Sequence, residues 1–254
     1  MPVFFDQTTS PEYGGCFLRR GRVGDMDADF MGRLRPGTLL RQMQEAGADH
    51  AEELNIGRAM TREKGALWVI VRTSLMAERL PVLGEEYEIL TWPGQTRKVF
   101  MPRYFELRVG GETLVRACSV YLLISAESRR MLNPAQLGVG AEAVSRPDQL
   151  PEPPLRLPFP DALPETELRR PRYSELDTNV HLNNSHYIDW AEDLLSADYH
   201  RSHALSSLWV DYRMEVLADD ELSLSYAREG DILFLRGESS RGNHFSLRAG
   251  YAEG

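Results

Sequence analysis

Leu67-Trp68-Val69-Ile70-Val71-Arg72 returns as Leu208-Trp209-Val210-Asp211-Tyr212-Arg213, so the chain carries one strand-like plan twice. Upstream, Asp25-Met26-Asp27-Ala28-Asp29 parallels Glu175-Leu176-Asp177-Thr178-Asn179, with Asp177 falling 150 positions after Asp27. Each copy then enters a helix. The first is expected from about Thr38 to Leu54, because Leu39, Leu40, Met43, Ala46 and Leu54 fall mostly on one face; Gly57 is a stop signal just beyond it. Strand-like runs follow at Leu67–Glu78, Tyr87–Trp92, Arg103–Val109 and Leu114–Ile124. In the second copy they are Leu208–Leu217, Leu222–Arg228, Ile232–Gly237 and His244–Tyr251. Turn-sized connections such as Gly110-Gly111 imply antiparallel meanders. A helix followed by strands, twice over, predicts an α+β fold in which each helix lies on a curved antiparallel sheet.

Three segments follow: an N-terminal domain over 1–132, a Pro-rich linker over 133–170 and a C-terminal domain over 171–254. The linker holds Pro134, Pro147, Pro151, Pro153, Pro154, Pro158, Pro160 and Pro164. At ~3.1 Å per residue it reaches on the order of 100 Å, enough to cross a whole face of such a domain. Each half is small and sheet-rich, so side-by-side packing that covers the sheet edges is expected.

Composition narrows the function classes. Apolar content of 42% and charged content of 26% fit a globular chain with a real core. The longest apolar runs, Leu67–Val71 and Tyr121–Ile124, are far too short to span a bilayer. A net charge of −9 argues against general nucleic-acid binding. Two cysteines, Cys16 and Cys118, make no disulfide framework, and Met1–Asp6 does not read as a signal peptide; the expected setting is cytoplasmic.

The chemistry concentrates in Asp177-Thr178-Asn179-Val180-His181-Leu182-Asn183-Asn184. In extended backbone, Asp177, Asn179 and His181 project to one side. Asn183 or Asn184 can cap the helix that carries Tyr187, Ala191, Leu194 and Leu195, leaving backbone N–H groups for a developing negative charge. Such a set suits the addition of water to a carbonyl, although Asx-rich segments before helices also serve as plain turns and caps. Comparing the copies, Met31 stands for His181 and, counted from the shared Leu-Trp-Val, Ser74 for Glu215. The first copy thus keeps the scaffold but lacks an imidazole and a carboxylate, and one working site per chain is expected.

These residues resemble the acyl-acyl carrier protein (ACP) thioesterases with two tandem hot-dog domains. The resemblance rests on Asp177–Asn184, Tyr187, Trp190 and Asp211–Glu215, and in the first half on Thr91-Trp92-Pro93, Arg97 and Ala117–Ile124. It implies hydrolysis of fatty acyl-ACP to free fatty acid and ACP, with Asp177, Asn179, His181 and Glu215 as catalytic residues and no cofactor. Asp177 or Glu215 would activate water or attack directly, and Asn179 and His181 would stabilise charge, aided by amides near Asn183 and Asn184. Plant members have been given a cysteine nucleophile directly after the glutamate; here Val216 stands there, and Cys118 lies in an apolar strand. Without a transit-peptide-like extension, the chain looks like a bacterial-type member.

Candidates for lining an acyl tunnel are Leu40, Met43, Ala46 and Tyr187, and the basic cluster Arg169, Arg170 and Arg172 is the candidate docking surface for an acidic ACP. An acyl-coenzyme A thioesterase and a non-catalytic acyl-binding protein are the alternatives. A metal reading rests only on His200 and His203, or more loosely on His181 and His186, without the accompanying ligands of a metal motif, so no metal is expected. The fused copies leave open a monomeric pseudo-dimer or a homodimer.

Overall fold

β3 (Ala66–Ala77) and β8 (His203–Tyr212), which carry the repeated Leu-Trp-Val, pair with each other. The register is antiparallel, with Arg72 opposite Asp211 and Met76 opposite Ser207. Each half thereby covers the other's bare strand edge. The computed structural model describes residues 7–10, 15–140 and 158–253. The N-terminal half contributes β1 (Gln7–Ser10), β2 (Cys16–Arg22), α1 (Pro36–Glu53), α2 (Arg58–Glu63), β3, β4 (Glu86–Pro93), β5 (Met101–Val109) and β6 (Glu112–Ser125). The C-terminal half contributes β7 (Glu165–Arg169), α3 (His186–Glu192), α4 (Ala197–Ser202), β8, β9 (Leu222–Glu229), β10 (Ile232–Ser239) and β11 (Gly242–Glu253). The strands form a continuous antiparallel sheet ordered β1-β2-β4-β5-β6-β3-β8-β11-β10-β9-β7.

Residues directly opposite one another in a ladder share a face. Phe17, Thr91, Phe105, Ala117, Leu75 and Leu208 are linked in that way across six strands. All six are buried. α1 turns Leu39, Leu40, Met43, Ala46, Gly47 and His50 inward, a helical spacing that matches this row. Pro36 in its first turn pre-sets φ and lacks an N–H that would otherwise need a partner.

Several boundaries depart from the sequence reading for local reasons. The helix of the second copy, α3, begins at His186, because the Asn183 side-chain carbonyl accepts the Ser185 N–H (3.0 Å) and Oγ–H (2.9 Å) and closes an Asx turn first. It ends at Glu192, and α4 restarts after Ser196, whose Oγ accepts the Tyr199 N–H. β8 stops at Tyr212 rather than Leu217, since the Arg213 and Met214 N–H groups both donate to the His244 carbonyl and turn the chain aside. Within 133–170, a 3₁₀ turn spans Pro134–Leu137 and β7 pairs with β9; residues 141–157, including Pro147, Pro151, Pro153 and Pro154, lie outside the described residues.

Two buried histidines make the fold acid-sensitive. Burial, reinforced by the Arg103 guanidinium, pushes His50 down to about 3, and burial lowers His244 as well. His50 stays neutral in the folded chain while the unfolded chain takes up a proton below about pH 6.5, and the lowering of His244 acts in the same direction. Their stability contribution is therefore complete above that pH and is lost as pH falls toward the folded value. His50 alone should cost roughly 2–3 kcal/mol between pH 7 and pH 4.5. Denaturant melts at the two pH values check this: His50→Asn should narrow the gap, and an unchanged gap would exonerate the histidine.

Candidate active site

Asp177 organises the loop before α3 with both of its carboxylate oxygens. Its Oδ1 accepts the backbone N–H groups of Asn179 (2.8 Å) and His181 (3.1 Å), and its Oδ2 accepts from the Asn179 side-chain amide at 3.3 Å. The Asp177 N–H donates to the His181 carbonyl, closing the turn, and Val180 at its tip takes φ +62°. That is a strained conformation for a β-branched residue, held here by the surrounding bonds. The Leu182 N–H donates to the Val216 carbonyl and bridges the loop to the segment after β8. His181 and Glu215 meet there, with Nε2 3.6 Å from Oε2.

Glu215 has a second partner that the sequence did not single out. Arg129, in the turn after β6, directs Nη2 at both carboxylate oxygens, at 2.5 and 2.6 Å. The N-terminal half therefore contributes a side chain to a site otherwise built by the C-terminal half. In the sequence, Arg129-Arg130 looks like ordinary basic surface; only the β3–β8 seam brings it here. Arg129→Gln should lower kcat on the order of tenfold, with Arg129→Lys partly restoring it, because a charge-assisted contact to both Glu215 oxygens at a half-exposed position is lost. Steady-state kinetics with thermal melts would test this, and an unchanged kcat would make the pair incidental.

A cavity of about 1150 Å³ opens from these residues. Asp177, Asn179, His181, Asn183, Asn184, Arg129 and Glu215 line its polar part, and Ile56, Trp68, Ile70, Met101 and Tyr121 its apolar part. Tyr187 also lines it, edge-on to Tyr212 with centroids 5.2 Å apart. Leu40, Met43 and Ala46 do not line it; they belong to the packed core under α1. The helix face that meets the cavity is one step round, at Gly47, Ala48 and Ala51. Cys118 is likewise a buried core thiol, between Val120 and Tyr104 in a small cluster.

The first copy repeats the backbone bonds of this loop, which corrects the alignment of the copies. Asp29 Oδ1 accepts the Met31 and Arg33 N–H groups, Asp29 N–H donates to the Arg33 carbonyl, and Gly32 holds φ +77°. The Leu34 N–H donates to the Pro81 carbonyl, as Leu182 does to Val216. Asp29 rather than Asp27 is thus the counterpart of Asp177, Met31 that of Asn179, and Arg33 that of His181. Leu80, not Ser74, occupies the place of Glu215; it is buried, while Ser74 sits within β3 opposite Trp209. Arg33 closes the space by binding Asp29 and the carbonyls of His200 (2.6 Å) and His203 (2.8 Å).

Other predicted residues are spread around the molecule. Arg169 is engaged by Asp193 at 2.6 Å and Glu175 at 3.6 Å and lies over the Trp190 ring, so it ties β7 to α3. Arg170 pairs with Glu221, and the exposed Arg172 donates its backbone N–H to Glu175. His200 Nε2 lies against the Glu192 carbonyl, and His203 stacks on Tyr199 at 4.1 Å. His186 pairs with Asp189 at 2.7 Å. No cluster able to hold a metal ion occurs among the described residues, and no helix there is long and apolar enough to cross a membrane.

A helix laid on antiparallel sheet in each half, long in α1 and shorter in α3, with the same Asp-anchored loop before both, defines a tandem hot-dog protein of α+β class. Residues 16–135 match the family model for the acyl-ACP thioesterase N-terminal domain, and residues 161–246 match that for the C-terminal domain. The chain belongs to the acyl-ACP thioesterase family. It is 27% identical over 202 residues to the chloroplastic dodecanoyl-[acyl-carrier-protein] hydrolase of Cinnamomum camphora, covering 72% of this chain and 52% of that protein. It is 29% identical over 199 residues to the chloroplastic palmitoyl-acyl carrier protein thioesterase of Arabidopsis thaliana, covering 73% and 48%. The matched region thus spans about half the length of these curated relatives. Among solved structures, an acyl-ACP thioesterase from Bacteroides thetaiotaomicron superimposes with TM-score 0.85 at 20% identity, over 96% of this chain and 100% of that one. The 12:0-ACP thioesterase from Umbellularia californica gives 0.80 at 23%, over 94% and 98%.

Proposed function

We propose that this chain hydrolyses fatty acyl thioesters carried on ACP, releasing fatty acid and the ACP thiol. The observation that carries the reading is the meeting of Glu215 and His181 at the mouth of a large, partly apolar cavity. Glu215 takes a proton from water as the oxygen attacks the thioester carbon. The Asn179 amide and His181 stabilise the resulting oxyanion, and collapse expels the thiolate, which is reprotonated from Glu215. Asp177 acts as the positioning residue: three donors already use its carboxylate and hold Asn179 and His181 in place. A gap of 3.6 Å is compatible with this role, since catalytic contacts in unliganded sites often tighten only around substrate.

Family membership supports ACP as the handle, and two buried cysteine thiols suit a cytoplasmic setting. In the docking candidate, Arg170 and Arg172 remain the exposed members, while Arg169 is internal to the fold. Incubating the protein with acyl-ACPs of several chain lengths and with the matching acyl-coenzyme A, then assaying thiol release, tests the reading. Faster, salt-sensitive turnover of acyl-ACP is the expected result. Release of no thiol from either donor would leave an acyl-binding protein in its place.

A further inference from the structure

Among the described residues, Arg103 is a buried cation without a counter-ion. On β5 it stands opposite Ser119, which stands opposite Thr73, so the three share the sheet face turned to α1. The row continues the helix-facing side of the sheet, but here it is polar, and the Thr73 and Ser119 hydroxyls bond each other at 3.0 Å. The helix makes room for the side chain: a Cβ on Gly47 would come within 3.0 Å of the Arg103 Cδ. Only 7% of the residue is exposed. Its Nη1 donates to His50 Nδ1 (3.1 Å) and Thr91 Oγ1 (3.3 Å), and both acceptors are neutral groups. His50 is kept neutral by burial and by this guanidinium. Among the described residues, no carboxylate forms an ion pair with Arg103.

A guanidinium carries five N–H donors and keeps its charge in proteins. Two acceptors on Nη1 leave Nε and Nη2 to the cavity that Arg103 lines, which is the cavity of Glu215 and His181. Tyr121 lines the same space, two residues along β6 from Ser119 on the same face. Burial pushes its hydroxyl up to about 12, so it remains a donor. β5 lies three strands from β8, on the order of 14 Å across the sheet, and Glu215 lies beyond the end of β8. Arg103 therefore lies in the part of the cavity remote from the reacting carbon, beside Pro93 of β4. A methyl-ended chain reaching it would strip water from the charge and return nothing. A carboxylate at the chain's end would supply both the missing charge and the acceptors for two parallel N–H bonds.

We propose that the Arg103 end of the cavity binds a terminal carboxylate on the acyl chain, so that the substrates include half-thioesters of long dicarboxylic acids. The proposal rests on the reading of Glu215 and His181 as the hydrolytic end. Calorimetric titration of the unaltered protein with dodecanedioate and dodecanoate tests it without requiring turnover. The diacid should bind on the order of tenfold tighter or more, and the advantage should vanish in Arg103→Gln and shrink in Tyr121→Phe. Equal binding of the two acids by the unaltered chain overturns the proposal whether or not the Arg103 variant folds. A preference that survives in a folded Arg103→Gln protein overturns it too. Thiol release from ω-carboxyacyl-ACP and methyl-ended acyl-ACP completes the test. Tight diacid binding without release from either would sustain the tail site and sink the hydrolytic reading instead.

Discussion

Glu215→Gln is expected to lower kcat by about 10²–10⁴-fold, the range for loss of a positioned general base. The amide keeps the shape of the side chain and one acceptor oxygen, so substrate binding should change little and KM should stay within a few-fold. Stability should also hold within about 0.5 kcal/mol, because the side chain is 38% exposed and its exchange with Arg129 takes place at the cavity mouth. Three measurements separate the outcomes: kcat, KM and the thermal midpoint. A fall in kcat with the other two steady identifies the carboxylate as the base. If kcat survives, Asp177 becomes the remaining carboxylate candidate, and it would have to release backbone donors to act. His181→Ala and Asn179→Ala should each cost about 10²–10³-fold, the usual effect of one lost oxyanion donor.

The sequence made the architecture legible because hydrophobic periodicity and a repeated strand are written into local residue order. Trp68 and Trp209 flag equivalent strands without any knowledge of their partners. What sequence order could not supply was register between distant segments. Asp25, Asp27 and Asp29 fall at every second position, so matching by composition left several alignments nearly equivalent; the loop hydrogen bonds select Asp29. The site shows the same division. Asp177, Asn179 and His181 are legible from their alternate spacing, whereas Glu215, 34 residues beyond His181, enters only through the comparison of the copies and the family resemblance. Arg129 was not legible, since its role depends on the seam between β3 and β8. Among the tunnel candidates, periodicity identified a buried helix face but could not tell core from cavity. Leu40, Met43 and Ala46 pack under α1, and the smaller Gly47, Ala48 and Ala51 leave the space. An apolar stripe reports burial, whereas a cavity needs side chains small enough to leave room.

Glu175→Ala is expected to be the most destabilising single change near the site, at about 3–5 kcal/mol. Glu175 is 9% exposed and satisfies three groups at once. Its Oε1 accepts the Trp190 indole N–H at 2.9 Å and lies 3.6 Å from the Arg169 guanidinium, while its Oε2 accepts the Arg172 N–H at 2.7 Å. Removing the carboxylate strands a buried indole donor and leaves Arg169 with the half-exposed acids Asp193 at 2.6 Å and Glu167 at 4.0 Å. The damage should reach the chemistry as well, because the Glu175 carbonyl accepts the Asn183 N–H and Asp177 follows two residues later. Glu175→Gln keeps one acceptor oxygen for the indole and should cost about half as much. Arg169→Ala should destabilise in the same direction, whereas Arg170→Ala, whose side chain is 66% exposed, should leave the melt unchanged and alter only the use of ACP. Denaturant titrations of the four variants, with thiol release from acyl-ACP and acyl-coenzyme A measured beside them, test the set. Equal stability of Glu175→Ala and the unaltered chain would mean that β7 and α3 are held together by apolar packing alone, with the carboxylate contributing nothing to the loop that carries Asn179 and His181.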